Sequence, residues 1–159
     1  MKFRSGMTMK DQGLPVVASV FHTILLAYQK ALKDVLNSGQ AVFIHPVLET
    51  IKKLDEELHV KLLDGKNADE VLENLAEQFI EAGIVKVFRI EKLNENKYKC
   101  TVDGCLFAQP THRLLNPEDV TCPLAMLAMA AYEKTSGRKV KFNYSKYSDT
   151  GTETIIEPL

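Results

Sequence analysis

The period of the hydrophobic pattern changes along this chain, and that change limits what it can fold into. Up to Gly83 the apolar residues recur three and four apart, as on one face of a helix. From Val85 the pattern shifts: "VKVFRIEKL" and "KYKCTVDGC" flank the turn "NENK", and Tyr98, Cys100 and Val102 alternate with Lys97, Lys99, Thr101 and Asp103. That alternation predicts a hairpin with one buried face. The helical period returns in "TCPLAMLAMAAYEKTSG", and a second hairpin, "RKVKFNYSKYSDTGTETIIEPL", turns at Asp149-Thr150-Gly151. Helices, a hairpin, an inserted helix and a second hairpin make an α+β domain. The expected architecture is an antiparallel sheet of about four strands flanked by three to four helices.

The boundaries follow from local chemistry. Residues 1–13 are polar and patternless and read as a flexible arm, leaving 14–159 as a single domain. "LPVVASVFHTILLAYQKALKDVLNSG" predicts a long helix with Pro15 in its first turn and Gly39 as its stop. Its apolar positions Val17, Phe21, Ile24, Leu25, Tyr28, Leu32 and Val35 cover more than one side, so the helix is expected to pack on its own sheet and on a second subunit as a homodimer. "QAVFIHPVLETIKKLDEEL" reads as an extended approach to His45 followed by a helix opened by Pro46. In "NADEVLENLAEQFIEAGI", Asn67 caps, Glu70 completes a capping box, and Gly83 terminates. Thr121 is the expected cap of the next helix, with Pro123 in its first turn and Gly137 at its end. There is no internal repeat and no low-complexity segment.

With 159 residues, the chain suits one domain. Its formal net charge of −1 offers no basic field for nucleic acid. No apolar run reaches the roughly 18 residues of a membrane span, and "MKFRSGMTMKDQG" lacks the apolar stretch of a secretion signal, so a cytoplasmic protein without membrane insertion is expected. The eight glycines form neither GxGxxG nor GxxxxGK[ST], which disfavours nucleotide-dependent redox chemistry.

Chemistry concentrates in "CLFAQPTHRLLNPEDVTCPLAML", Cys105 to Leu127. Cys105, His112 and Cys122 are ligand types that zinc accepts, with Cys100 or water as a fourth, although the spacing matches no established zinc pattern. The same residues also read as two packed thiols and a solvated loop histidine. Thr121-Cys122-Pro123 puts a sulfur at a helix N-terminus, where a lowered thiol pKa is expected. A catalytic thiolate would need a base, for which His112 is the nearby candidate, and no accompanying acid stands out. A different reading makes a small-molecule pocket. His22, among Phe21 and Leu25, would present a hydrogen-bonding group in apolar surroundings, and Phe107, Met126, Met129 and Tyr132 would supply adaptable apolar wall. His22 satisfied by a backbone carbonyl, and the methionines as ordinary core, are the plainer alternatives.

The segment Phe79 to Gly83, the strand "KCTVDGCLFA", the helix start Cys122-Pro123, Gly137 and Gly151, in that order, resemble the 4-vinyl reductase (V4R) domain family. These are hydrocarbon-binding domains related to subunits of the TRAPP tethering complex, and the resemblance runs from about Leu54 to the end. It implies a dimeric α+β domain holding a small apolar or aromatic ligand between helices and sheet. Related domains in phenol-sensing transcription activators also contain zinc. The family's cysteines commonly flank the final hairpin, whereas "NYSKYSDTGTETIIE" has none, so a zinc site here would draw on the earlier cysteines. Reduction of a tetrapyrrole vinyl group is not carried over, because no motif holds a reductant. The expectation is a non-enzymatic binding module for a small hydrophobic or aromatic molecule, with a zinc-binding domain or a pure assembly module as alternatives.

Overall fold

A computed structural model describes residues 9–36, 41–59, 61–108, 111–115, 120–141, 143 and 145–159. The order is α1 (Met9–Leu36), α2 (Ala41–Leu58), α3 (Ala68–Glu81), β1 (Val87–Asn94), β2 (Lys97–Asp103), a 3-10 turn (Thr111–Leu114), α4 (Pro123–Ser136), β3 (Val140–Lys141), β4 (Lys146–Tyr147) and β5 (Thr152–Pro158). The strands run β1-β2-β5-β3, with β4 also on β5, and every described pairing is antiparallel. β3 and β4 together act as one interrupted strand beside β5, so the sheet is two hairpins joined through β2 and β5.

Local chemistry explains several ends. The Asn67 side chain accepts from the Glu70 amide at 3.0 Å, satisfying an orphan amide in the first turn of α3, and the Glu70 carboxylate accepts from the Lys66 amide just before the cap. Gly83 ends the helix in the left-handed region at φ +70°, with the Ile84 amide returning to the Phe79 carbonyl. Tyr98, Cys100 and Val102 point into the core from β2, as the alternation predicts. Gly151 sits where β5 begins against the end of β2. A Cβ there would strike the carbonyl oxygen of Val102, so only glycine allows the approach.

α4 is buried on nearly all sides, and its residues Ala125, Ala128, Met129, Ala130 and Ala131 are inaccessible. It packs against α2, α3 and the sheet, and small alanines let these neighbours come close. The main apolar cluster draws on α2, α3, α4 and the strands. Among the described residues it contains none from α1.

Three boundaries differ from expectation. α1 begins at Met9, inside the expected arm, while residues 1–8 lie outside the described residues, as does the expected stop Gly39. α2 is already helical at Ala41, with Pro46 inside it. The physical reason is burial: Ile44 and Ile51, two turns apart, both enter the core, which continuing the helix through Pro46 allows. The cap of α4 is Cys122 and not Thr121, whose hydroxyl donates to the Asn143 carbonyl instead.

Candidate functional site

α1 sits on the rest of the domain through a narrow, partly polar strip. Ala18, Ser19, His22, Leu26 and Gln29 face inward and are buried. The Thr23 and Thr111 hydroxyls both donate to the Ser19 carbonyl, at 2.8 and 3.3 Å. Gln29, with no exposed surface, donates from its amide to the Thr121 carbonyl and accepts from the Thr121 amide, both at 3.1 Å. These bonds tie α1 to the 3-10 turn and to the residue preceding the α4 cap.

Between the strip and the sheet lies a cavity of about 190 Å³. Its roof is Phe21, His22 and Leu25 of α1, and its floor is Val102 of β2 with Thr152 of β5. Cys105 and Phe107 close one side from the loop after β2, His112 comes from the 3-10 turn, and Cys122, Pro123 and Leu124 form the end at the start of α4. The loop is pinned by backbone bonds from the Cys105 amide to the Thr150 carbonyl at 3.0 Å and from the Leu106 amide to the Ile84 carbonyl at 2.9 Å. The Cys122 amide donates to the Ser145 hydroxyl, which pairs with the Thr154 hydroxyl at 2.6 Å. The walls are therefore held from several elements.

Four rings, those of Phe21, His22, Phe107 and His112, line the cavity. The His22 ring is 6.0 Å from that of Phe107, in a stacked arrangement, and 5.6 Å from that of His112. His112 in turn meets Tyr147 edge to face at 4.8 Å, and its Nδ1 pairs with the Ser148 carbonyl at 2.9 Å. His22 is only 8% exposed, and its Nε2 is buried without a hydrogen-bond partner. Burial first, and the neighbouring His112 second, lower the His22 pKa to about 4, so its imidazole is neutral near pH 7. Burial also lowers the pKa of His112. A neutral imidazole with a free nitrogen in a mostly apolar chamber, facing a floor where the Thr152 hydroxyl is also unpartnered, can read a hydroxyl or N–H on a small ring.

The residues expected to form a pocket divide into two sets. Phe21, His22, Leu25 and Phe107 line the cavity. Met126, Met129 and Tyr132 do not; they are 2%, 0% and 4% exposed and belong to the interior, the Tyr132 ring lying 5.4 Å from that of Tyr98. The packing of α4 turns the two methionines into the interior, while Tyr132 borders, with Tyr98, a separate surface hollow beside the start of α3.

The metal reading is corrected. Cys105, His112 and Cys122 do border one cavity, but among the described residues no group of three His, Cys, Asp or Glu side chains could hold a metal ion. Cys100 is inaccessible on the inner face of β2. The thiol expectation is corrected separately, because in the metal-free chain burial favours the protonated form of all three. Burial raises Cys100 well above its ordinary value, Cys105 to about 11, and Cys122 as well. At Cys122 the amides of Leu124 and Ala125 act in the opposite direction and are outweighed, so the lowered pKa expected from its place at a helix start is not found. The zinc and metal-binding expectation for Cys100, Cys105, His112 and Cys122 is overturned by the absence of a three-residue ligand group among the described residues.

Sequence reasoning missed Gln29 and took Thr121 for a helix cap, whereas the two together hold the roof to the end wall. The available signal was a glutamine following the apolar run "ILLAY". No protein-family model matches the chain, and no match is found among the curated proteins. Among the described residues no helix is long and apolar enough to cross a membrane.

Proposed function

We propose that this protein is a non-enzymatic binding module for a small aromatic molecule carrying one polar group, held under α1 as a sensor or carrier. The observation that carries the reading is the unpartnered Nε2 of His22 in a ring-lined, mostly apolar cavity, whose floor also holds the unpartnered hydroxyl of Thr152. An apolar cavity of about 150 Å³ in another protein is known to take up benzene, so a volume of about 190 Å³ suits one ring with a small substituent. A buried nitrogen without a partner costs about 1–3 kcal/mol, which a ligand hydroxyl would recover by donating to the imidazole or accepting from it, whichever tautomer is present. A V4R-type identity and dimeric action belong to the same proposal. The exposed apolar side of α1 favours the dimer.

Calorimetric titration with phenol, benzene and cyclohexane tests it. Phenol should bind most tightly. His22→Leu should weaken phenol about tenfold, the value of one hydrogen bond, while leaving benzene nearly unchanged. Leu25→Trp, which fills the roof, should abolish both. Equal affinity for phenol and cyclohexane, or no effect of either substitution, would contradict the proposal.

A further inference from the structure

We propose that the cavity is one part of a site completed by a second copy of the chain, whose α1 lies along the exposed side of this α1, so that ligand binding and dimerisation strengthen each other. The inference rests on the ligand-binding reading above. Phe21 supplies its starting point: it roofs the cavity, yet 67% of it is exposed. A residue facing both an apolar chamber and water leaves the roof unfinished.

The exposed side of α1 has a pattern. Val17, Phe21, Ile24, Tyr28, Ala31 and Val35 are all exposed, and their spacing alternates four and three, the strict seam of a two-helix coiled coil. From Gly13 to Gln29 the sequence contains no Asp, Glu, Lys or Arg. The exposed parts of the large seam residues Val17, Phe21, Ile24, Tyr28 and Val35 amount to roughly 550 Å² per copy, the scale of a small, concentration-dependent interface.

A second copy fits this seam better than a lipid surface does. A membrane-surface helix is rich in Lys and Arg along the face opposite its apolar one, whereas the opposite face of α1 is packed on its own domain through Ser19, His22 and Gln29 and carries Lys30 and Lys33 towards its C-terminal end. The seam is also self-complementary when paired antiparallel about the level of Leu26. Val17 then meets Val35, bulky Phe21 meets small Ala31, and Ile24 meets Tyr28, with both contacts of each pair repeated by the two-fold axis. In that arrangement the partner's helix covers Phe21 and the adjoining roof.

Sedimentation velocity and calorimetry on the full chain, with phenol as the probe, test the coupling. Over about a hundredfold range of protein concentration, the chain should associate to a dimer. Coupling is reciprocal, so if dimerisation improves each site about tenfold, saturating phenol should tighten the dimer about a hundredfold through its two sites. Ile24→Glu and Tyr28→Lys alter the seam without lining the cavity. Each should be monomeric with an unchanged circular dichroism spectrum and bind phenol about tenfold more weakly. Folded monomers that bind phenol as tightly as the parent would overturn the inference and leave the binding reading standing, because the cavity would be complete in one chain. A parent chain that stays monomeric, or a dimer that phenol does not tighten, would also overturn it. If phenol binds neither the parent nor the variants, the binding reading fails first and the coupling fails with it.

Discussion

His22 is buried as a neutral base beside a second histidine, and that placement has a measurable consequence for stability. Its pKa is about 4 when folded against about 6.5 when unfolded, so between these values the unfolded chain binds more protons. Stability is therefore fully present above pH 6.5 and declines as pH falls towards 4, by on the order of 3 kcal/mol from this residue. His112, lowered in the same direction by its own burial, adds to the decline. Urea midpoints at pH 7 and pH 4.5 should differ clearly, and His22→Leu should remove the larger part of the difference. Unchanged pH dependence in that variant would mean that His22 is not held as a buried neutral group. The cysteines show why this corner was hard to read from sequence. Their types and loop suggested zinc or a reactive thiolate, but burial decides thiol chemistry, and burial depends on strands and helices far apart in the chain.

The buried strip of α1 is tied to the body by side-chain hydrogen bonds, so individual bonds along it matter. Gln29→Leu would leave the Thr121 amide and carbonyl buried without partners, which should cost about 2–3 kcal/mol and loosen the cavity end wall. A comparison with Ala27→Leu, on the exposed side, separates this from a general effect on the helix. A loss for Gln29→Leu no larger than that for Ala27→Leu in denaturant unfolding would contradict the clamp. Elements with short-range signals were legible in the sequence: the Asn67 cap, the turn at Glu95 and Asn96, Pro123 and Gly137 around α4, and Gly151. The inward face of α1 was not, because Ser19, Thr23 and Gln29 bind through hydrogen bonds that hydrophobic periodicity cannot register. Its expected apolar stripe is instead largely the side left exposed. Pro46 misled for a related reason, since tertiary burial of Ile44 outweighs the local preference for a helix start at proline.

At the scale of the whole molecule, the α+β order expected from the change in period is present, with four helices and a five-stranded sheet among the described residues. The sheet and α4 form a tightly packed body, and α1 lies across it as a separately attached roof over an apolar chamber. Such a division suits a protein that changes its association when the chamber fills, since the roof belongs to both the site and the exposed seam. A nitrogen NMR titration of histidine-labelled protein with phenol at pH 7 reports what the chamber holds. The account predicts that the Nε2 resonance of His22 moves and saturates, while His45 and His59 stay in place and His112 responds weakly through its ring contact. A His22 resonance that does not move while phenol saturates the protein would contradict it.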